Sequence, residues 1–69
     1  MKVKVELLPT KKETKTLRMR AGSTVEDAIR FLKLHPEAWI PILKGSPVPL
    51  DEALRDGDTL KLISAVSGG

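Results

Sequence analysis

Sixty-nine residues are enough for one domain with a single small core, and no second domain is sought within them. The absence of cysteine excludes disulfides, thiolate metal sites and thiol nucleophiles, and a lone histidine, His35, argues against a metal cluster. The net charge of +3 is uneven, with seven Lys/Arg against Glu6 and Glu13 in residues 1–20, so the N-terminal third is basic while the remainder carries −2.

The chain opens with Met1-Lys2-Val3-Lys4-Val5-Glu6-Leu7, in which charged and apolar side chains alternate. That period of two predicts a strand with one buried face. It also lacks the unbroken apolar stretch of a secretory leader, and no run approaches a membrane span, so the expected location is cytoplasmic. Pro9-Thr10-Lys11-Lys12 reads as a turn, and Thr14 to Arg20 alternates again with Leu17 and Met19 on one side, completing a hairpin.

Val25, Ala28, Ile29 and Leu32 fall at i, i+3, i+4 and i+7 and predict a helix with one apolar stripe. Ser23 with Glu26 reads as its capping box, and Pro36 is expected to stop it near Leu34-His35. Trp39 to Leu43 is a short apolar strand, and Lys44-Gly45-Ser46 turns the chain into Pro47-Val48-Pro49, whose two prolines confine it to a sheet edge. Leu50 to Leu54 is read as a helical turn, Arg55-Asp56-Gly57-Asp58 as a tight turn, and Thr59 to Val66 as the final strand, with Ser67-Gly68-Gly69 as a free tail. The domain is thus expected to span 1–66 and the tail 67–69.

The order β-β-α-β-β with a long apolar last strand places the first and last strands side by side, parallel, at the centre of a mixed sheet. One helix covers one face of such a sheet, giving an α+β fold whose other face is wet. Asn and Gln are missing while Lys and Glu are plentiful, a bias found in proteins from hot environments.

The ending Asp56-Gly57-Asp58, an apolar strand from Thr59, then Gly68-Gly69 resembles the ubiquitin-like superfamily, and within it the ThiS and MoaD sulfur carriers and the archaeal small modifiers. Thr59 to Gly69 also resembles the C-terminal stretch of ubiquitin, with Ser64, Ala65 and Ser67 in place of larger or basic residues. Lys44-Gly45-Ser46-Pro47-Val48-Pro49 is similar to a hairpin of the archaeal modifiers, without their Asn-Gly. The resemblance covers essentially the whole chain and implies a β-grasp fold. It further implies that the Gly69 carboxylate is adenylated by a partner enzyme of ThiF or MoeB type at the expense of ATP. Gly69 then becomes a thiocarboxylate that donates sulfur to thiamine, molybdopterin or tRNA thiolation, or is joined to a target lysine. Such a chain is a substrate and carrier, monomeric when free, with no stably bound cofactor and no catalysis of its own.

Two terminal glycines suit this chemistry because, lacking Cβ, they thread a narrow channel toward the nucleotide. The resemblance and strand parity together place Leu8, Ile42, Lys61 and Ile63 on the outer face near the tail, with Leu8 beside Ile42. With Val66 and Ser67 they form a docking patch for the activating enzyme; the alternative is that some belong to the core or are ordinary exposed apolar residues. A rival reading makes Lys4, Lys11, Lys12, Lys15, Arg18 and Arg20 a surface for RNA or an acidic protein. Against RNA stands the scarcity of aromatics, Phe31 and Trp39 alone. The favoured reading of the charge is a solvated hairpin with lysines guarding an edge strand. His35 is explained by the dipole at a helix C-terminus, Asp56 and Asp58 by turn chemistry, and Trp39 by the core or the sheet edge.

Overall fold

The computed structural model describes residues 1–8 and 13–65, and its sheet has five strands in the order β2-β1-β5-β3-β4. Strands β1 (Lys2–Leu8) and β2 (Glu13–Arg18) form the antiparallel hairpin that the alternation predicts. Met1 and Met19 extend the pairing by a reciprocal pair of hydrogen bonds of 2.8 and 2.9 Å. Strand β5 (Thr59–Ser64) lies parallel to β1 at the centre, with Val5 opposite Leu60 and Leu7 opposite Leu62. On its other side it pairs antiparallel with β3 (Trp39–Leu43), which carries the two-residue edge strand β4 (Ser46–Pro47). One helix, α1 (Val25–Phe31), covers one face, so the fold is an α+β β-grasp. The expected domain end at Val66 and the tail from Ser67 lie outside the described residues, as does the turn at 9–12.

Burial follows strand parity. Val3, Val5 and Leu7 of β1, Leu17 of β2, Leu60 and Leu62 of β5 and Leu43 of β3 join Val25, Ala28 and Ile29 of the helix in one core, with Met19 and Leu32 packed against it. Pro41 sits inside β3 without harm. Its carbonyl accepts from Val48 N–H on the β4 side, and in an antiparallel strand the missing N–H faces that same side, where the two-residue edge asks little of it.

Three local expectations are corrected. The helix cap is Thr24 with Asp27, one residue later than Ser23 with Glu26: Asp27 N–H donates to Thr24 Oγ1 and Thr24 N–H donates to the Asp27 carboxylate. Ser23 instead donates to the Arg20 carbonyl, and Glu26 pairs with Arg30 at 2.9 Å, one turn on. The helix also stops before Pro36 acts on it. Lys33 adopts a left-handed backbone (φ 60°), its N–H donates to the Arg30 carbonyl and Leu34 N–H donates to the Ile29 carbonyl, closing the helix end. Leu34 is thereby returned to the core, a gain that decides the stop. Pro36 opens a separate 3₁₀ turn, Pro36–Ala38.

The third correction concerns 50–54, where the helical turn is reduced to a tight turn at 50–51, closed by Glu52 N–H donating to the Pro49 carbonyl, before Ala53 bridges to Thr24. The Leu50 and Glu52 carbonyls accept from Glu26 and Val25 N–H, and Leu54 N–H donates to the Ser23 carbonyl. The first helical N–H groups, which have no partner within a helix, are thus satisfied by this segment and by the Thr24 cap. Leu54 is buried beneath it.

Candidate functional site

Residues of β1, β5 and β3 that do not face the helix form the outer face of the sheet. Register places Leu8 of β1 opposite Ile63 of β5, and Ile63 opposite Ile40 of β3, so one apolar row crosses three adjacent strands. Ile40 is 43% exposed and Ile63 37%, while Leu8 is half-buried. This row lies at the end of β5 that leads into 66–69. Ala65, the last described residue, is tied to the body by its N–H, which donates to the Ala38 carbonyl at 2.9 Å.

The sheet brings together Leu8, Ile42, Lys61 and Ile63 on this face but not in the expected order. Leu8 borders Ile63, not Ile42, because β5 stands between β1 and β3. Ile42, half-buried, sits one row away opposite Lys61, which is exposed and itself opposite Glu6. Ile40 is a member of the row that the sequence reading passed over. Its signal was present: with Trp39, Pro41 and Leu43 turned inward, the parity that exposes Ile42 also exposes Ile40. Val66, Ser67, Gly68 and Gly69 lie outside the described residues.

The acidic residues of the Asp56-Gly57-Asp58 turn are occupied by structure. Lys2 N–H donates to Asp56 Oδ1 at 2.7 Å and Arg55 N–H to Asp58 Oδ2 at 2.8 Å, while Gly57 takes φ 87° and donates its N–H to the Lys2 carbonyl. The turn therefore locks the entry to β5 against the start of β1 and offers no pocketed acid pair. His35 is exposed and three residues beyond the helix cap, Leu32, so the helix dipole does not explain it; it precedes the 3₁₀ turn instead. Trp39 is half-buried against the core. Among the described residues no group of His, Asp and Glu has the arrangement of a metal site, and no helix is long and apolar enough to cross a membrane. Register puts Arg18 opposite Lys2 on the same side as Lys4, and Lys15 opposite the buried Val5; Arg18 and Arg20 also line a depression beside the helix, and Lys11 and Lys12 lie outside the described residues.

A family model for the ThiS family matches residues 4–69, from the first strand through Gly69. The chain belongs to the ThiS family. A sulfur carrier protein, TtuB of Thermus thermophilus, is 28% identical over 57 residues, covering 83% of this chain and 88% of the relative. Among solved structures, SAMP1 of Haloferax volcanii superposes with a TM-score of 0.77 at 22% identity over the whole of both chains. A Caldiarchaeum subterraneum ubiquitin gives 0.74 at 24%, covering 100% of this chain and 98% of that one. The complex of subunits 1 and 2 of the Helicobacter pylori molybdopterin-converting factor gives 0.72 at 21% over the whole of both chains. These likenesses establish the β-grasp fold of this ThiS-family chain.

Proposed function

We propose that this ThiS-family chain is a sulfur carrier whose Gly69 carboxylate is the working group. The observation that carries the reading is the family match, which runs through Gly68-Gly69 and not merely through the sheet. The similarity to a sulfur carrier over most of both chains supports it.

A carboxylate resists attack by nucleophiles because its charge is delocalised over two oxygens. Activation therefore comes from a partner enzyme of ThiF or MoeB type. One Gly69 oxygen attacks the α-phosphorus of ATP, pyrophosphate leaves, and the terminus becomes an acyl adenylate. A sulfur nucleophile at the oxidation level of hydrosulfide then adds to the carbonyl carbon, AMP leaves with the oxygen, and a thiocarboxylate remains. The chain has no cysteine, so the sulfur comes from another molecule. Its own contribution is to be held: Leu8, Ile40 and Ile63 provide the apolar centre of a docking face, Ile42 and Lys61 its border, and Val66-Ser67 the lead into the enzyme's channel. Attack of a target lysine amine on the acyl carbon of the same intermediate, with AMP as the leaving group and the amine proton lost, gives an isopeptide bond and is the alternative fate.

Intact mass spectrometry after incubation with the activating enzyme, ATP and a sulfide source tests the reading. The expected result is a mass gain equal to the exchange of one oxygen for one sulfur, absent when ATP is omitted. An unchanged mass under conditions where the same enzyme loads its known carrier would reject it, and lysines of cellular proteins carrying the Leu62–Gly69 remnant that trypsin leaves after Lys61 would point to the modifier fate.

A further inference from the structure

Phe31 is 59% exposed, more than any other large hydrophobic side chain among the described residues. It falls outside the stripe of Val25, Ala28, Ile29 and Leu32 that packs on the sheet, so the core does not require it. It lines an open depression of about 530 Å³ together with Met19, Arg18, Arg20, Arg30 and Asp27. Met19 and Phe31 are its apolar walls.

The charges around it are lopsided. Arg30 is held by Glu26, and the Asp27 carboxylate accepts from Thr24 N–H in the helix cap. Among the described residues neither Arg18 nor Arg20 is in an ion pair. An apolar recess under unpaired guanidiniums is the complement of an apolar side chain flanked by carboxylates, and Arg with exposed aromatic rings is the composition enriched at protein interfaces. A nucleic acid fits less well, because one ring gives no platform for successive bases.

We infer that this depression is a second docking site, for an acidic segment of a partner protein that inserts one large apolar side chain beside Phe31. It shares no residue with the outer-face row of Leu8, Ile40 and Ile63 and lies by the helix, so a protein bound here leaves that row open. The site does not depend on the fate of Gly69.

The test is a selection of a random peptide-display library on the full chain, followed by NMR mapping of the most enriched peptide on the ¹⁵N-labelled protein. The expected peptides carry Asp or Glu around one aromatic or aliphatic residue, and they move the amide signals of Arg18, Met19, Arg20 and Phe31. Phe31→Ala and Arg20→Glu, each with an unchanged amide spectrum elsewhere, weaken the peptide about tenfold, the loss typical of an interface anchor. Ile63→Glu leaves its affinity unchanged. No enrichment, enrichment of neutral or basic peptides, signals moving on the outer face, or undiminished binding to Phe31→Ala each overturns the inference. So does a single-stranded oligoribonucleotide that displaces the peptide from the same residues, which would assign the depression to RNA.

Discussion

Lys33 and Lys44 hold left-handed backbone conformations, φ 60° and 51°, that a residue with a Cβ occupies at a cost of about 1–2 kcal/mol. Lys33 ends the helix, and Lys44 with Gly45 (φ 79°) makes the two-residue hairpin loop between Leu43 and Ser46, in which both central residues have positive φ. Lys33→Gly and Lys44→Asn are each expected to stabilise the fold by roughly 0.5–1 kcal/mol, allowing for the extra freedom glycine brings to the unfolded chain. In a domain of this size each kcal/mol raises the melting temperature by about 4–8 °C, so the double variant should melt visibly higher in a calorimetric scan. No rise in either single variant would mean that the lysine side chains compensate elsewhere. The cap is equally testable: Thr24→Ala should cost about 1 kcal/mol through the lost acceptor for Asp27 N–H, and Ser23→Ala distinctly less. If denaturant midpoints showed the reverse order, Ser23 rather than Thr24 would be the functional cap.

The elements were legible to the extent that their pattern is local. Alternation in 2–8 and 14–19, the helical stripe at 25–32 and the apolar run 39–43 each name their own partner face, and β1, α1, β3 and β5 appear where the pattern puts them. What the sequence conceals is pairing in space. The course of 50–54 is set by two carbonyls meeting the helix N-terminus, a contact between residues some two dozen positions apart that no periodicity reveals. The outer face was half legible for the same reason: parity assigns Ile42, Lys61 and Ile63 to the outer side, but only strand order shows that Ile40 and Leu8 flank Ile63 while Ile42 sits a row away. That placement makes a prediction at the level of the sheet. Ile40→Glu and Ile63→Glu alter exposed side chains and should change stability by about 0.5 kcal/mol or less in denaturant titration. Each should nevertheless lower the rate at which the activating enzyme consumes ATP in the presence of the carrier, because a carboxylate is forced into the centre of an apolar contact. Wild-type activation of both variants would remove the outer row from the docking face.

At the scale of the molecule, the body and the proposed working end, Gly69, have separate physical requirements. The body is a single apolar layer between one helix and one face of the sheet, with no buried polar side chain among the described residues, and a chain of 69 residues leaves little surplus stability for it to lose. Leu62 is fully buried at the centre of β5, so Leu62→Ala should cost about 2–5 kcal/mol, a large part of what such a domain has. Gly68 and Gly69 follow Ala65, the last described residue, whose N–H is held by the Ala38 carbonyl, so deleting them removes none of the described strand or core residues. The two variants should therefore fail in opposite ways. The deletion is expected to melt with the parent and to accept no sulfur. Leu62→Ala is expected to melt much lower, yet at a temperature where circular dichroism still shows it folded it should gain the same mass as the parent, because its docking row and terminus are intact. A deletion variant that still acquires sulfur would move the chemistry away from Gly69, and a folded Leu62→Ala protein that acquires none would show that the core does more than hold the outer face in place.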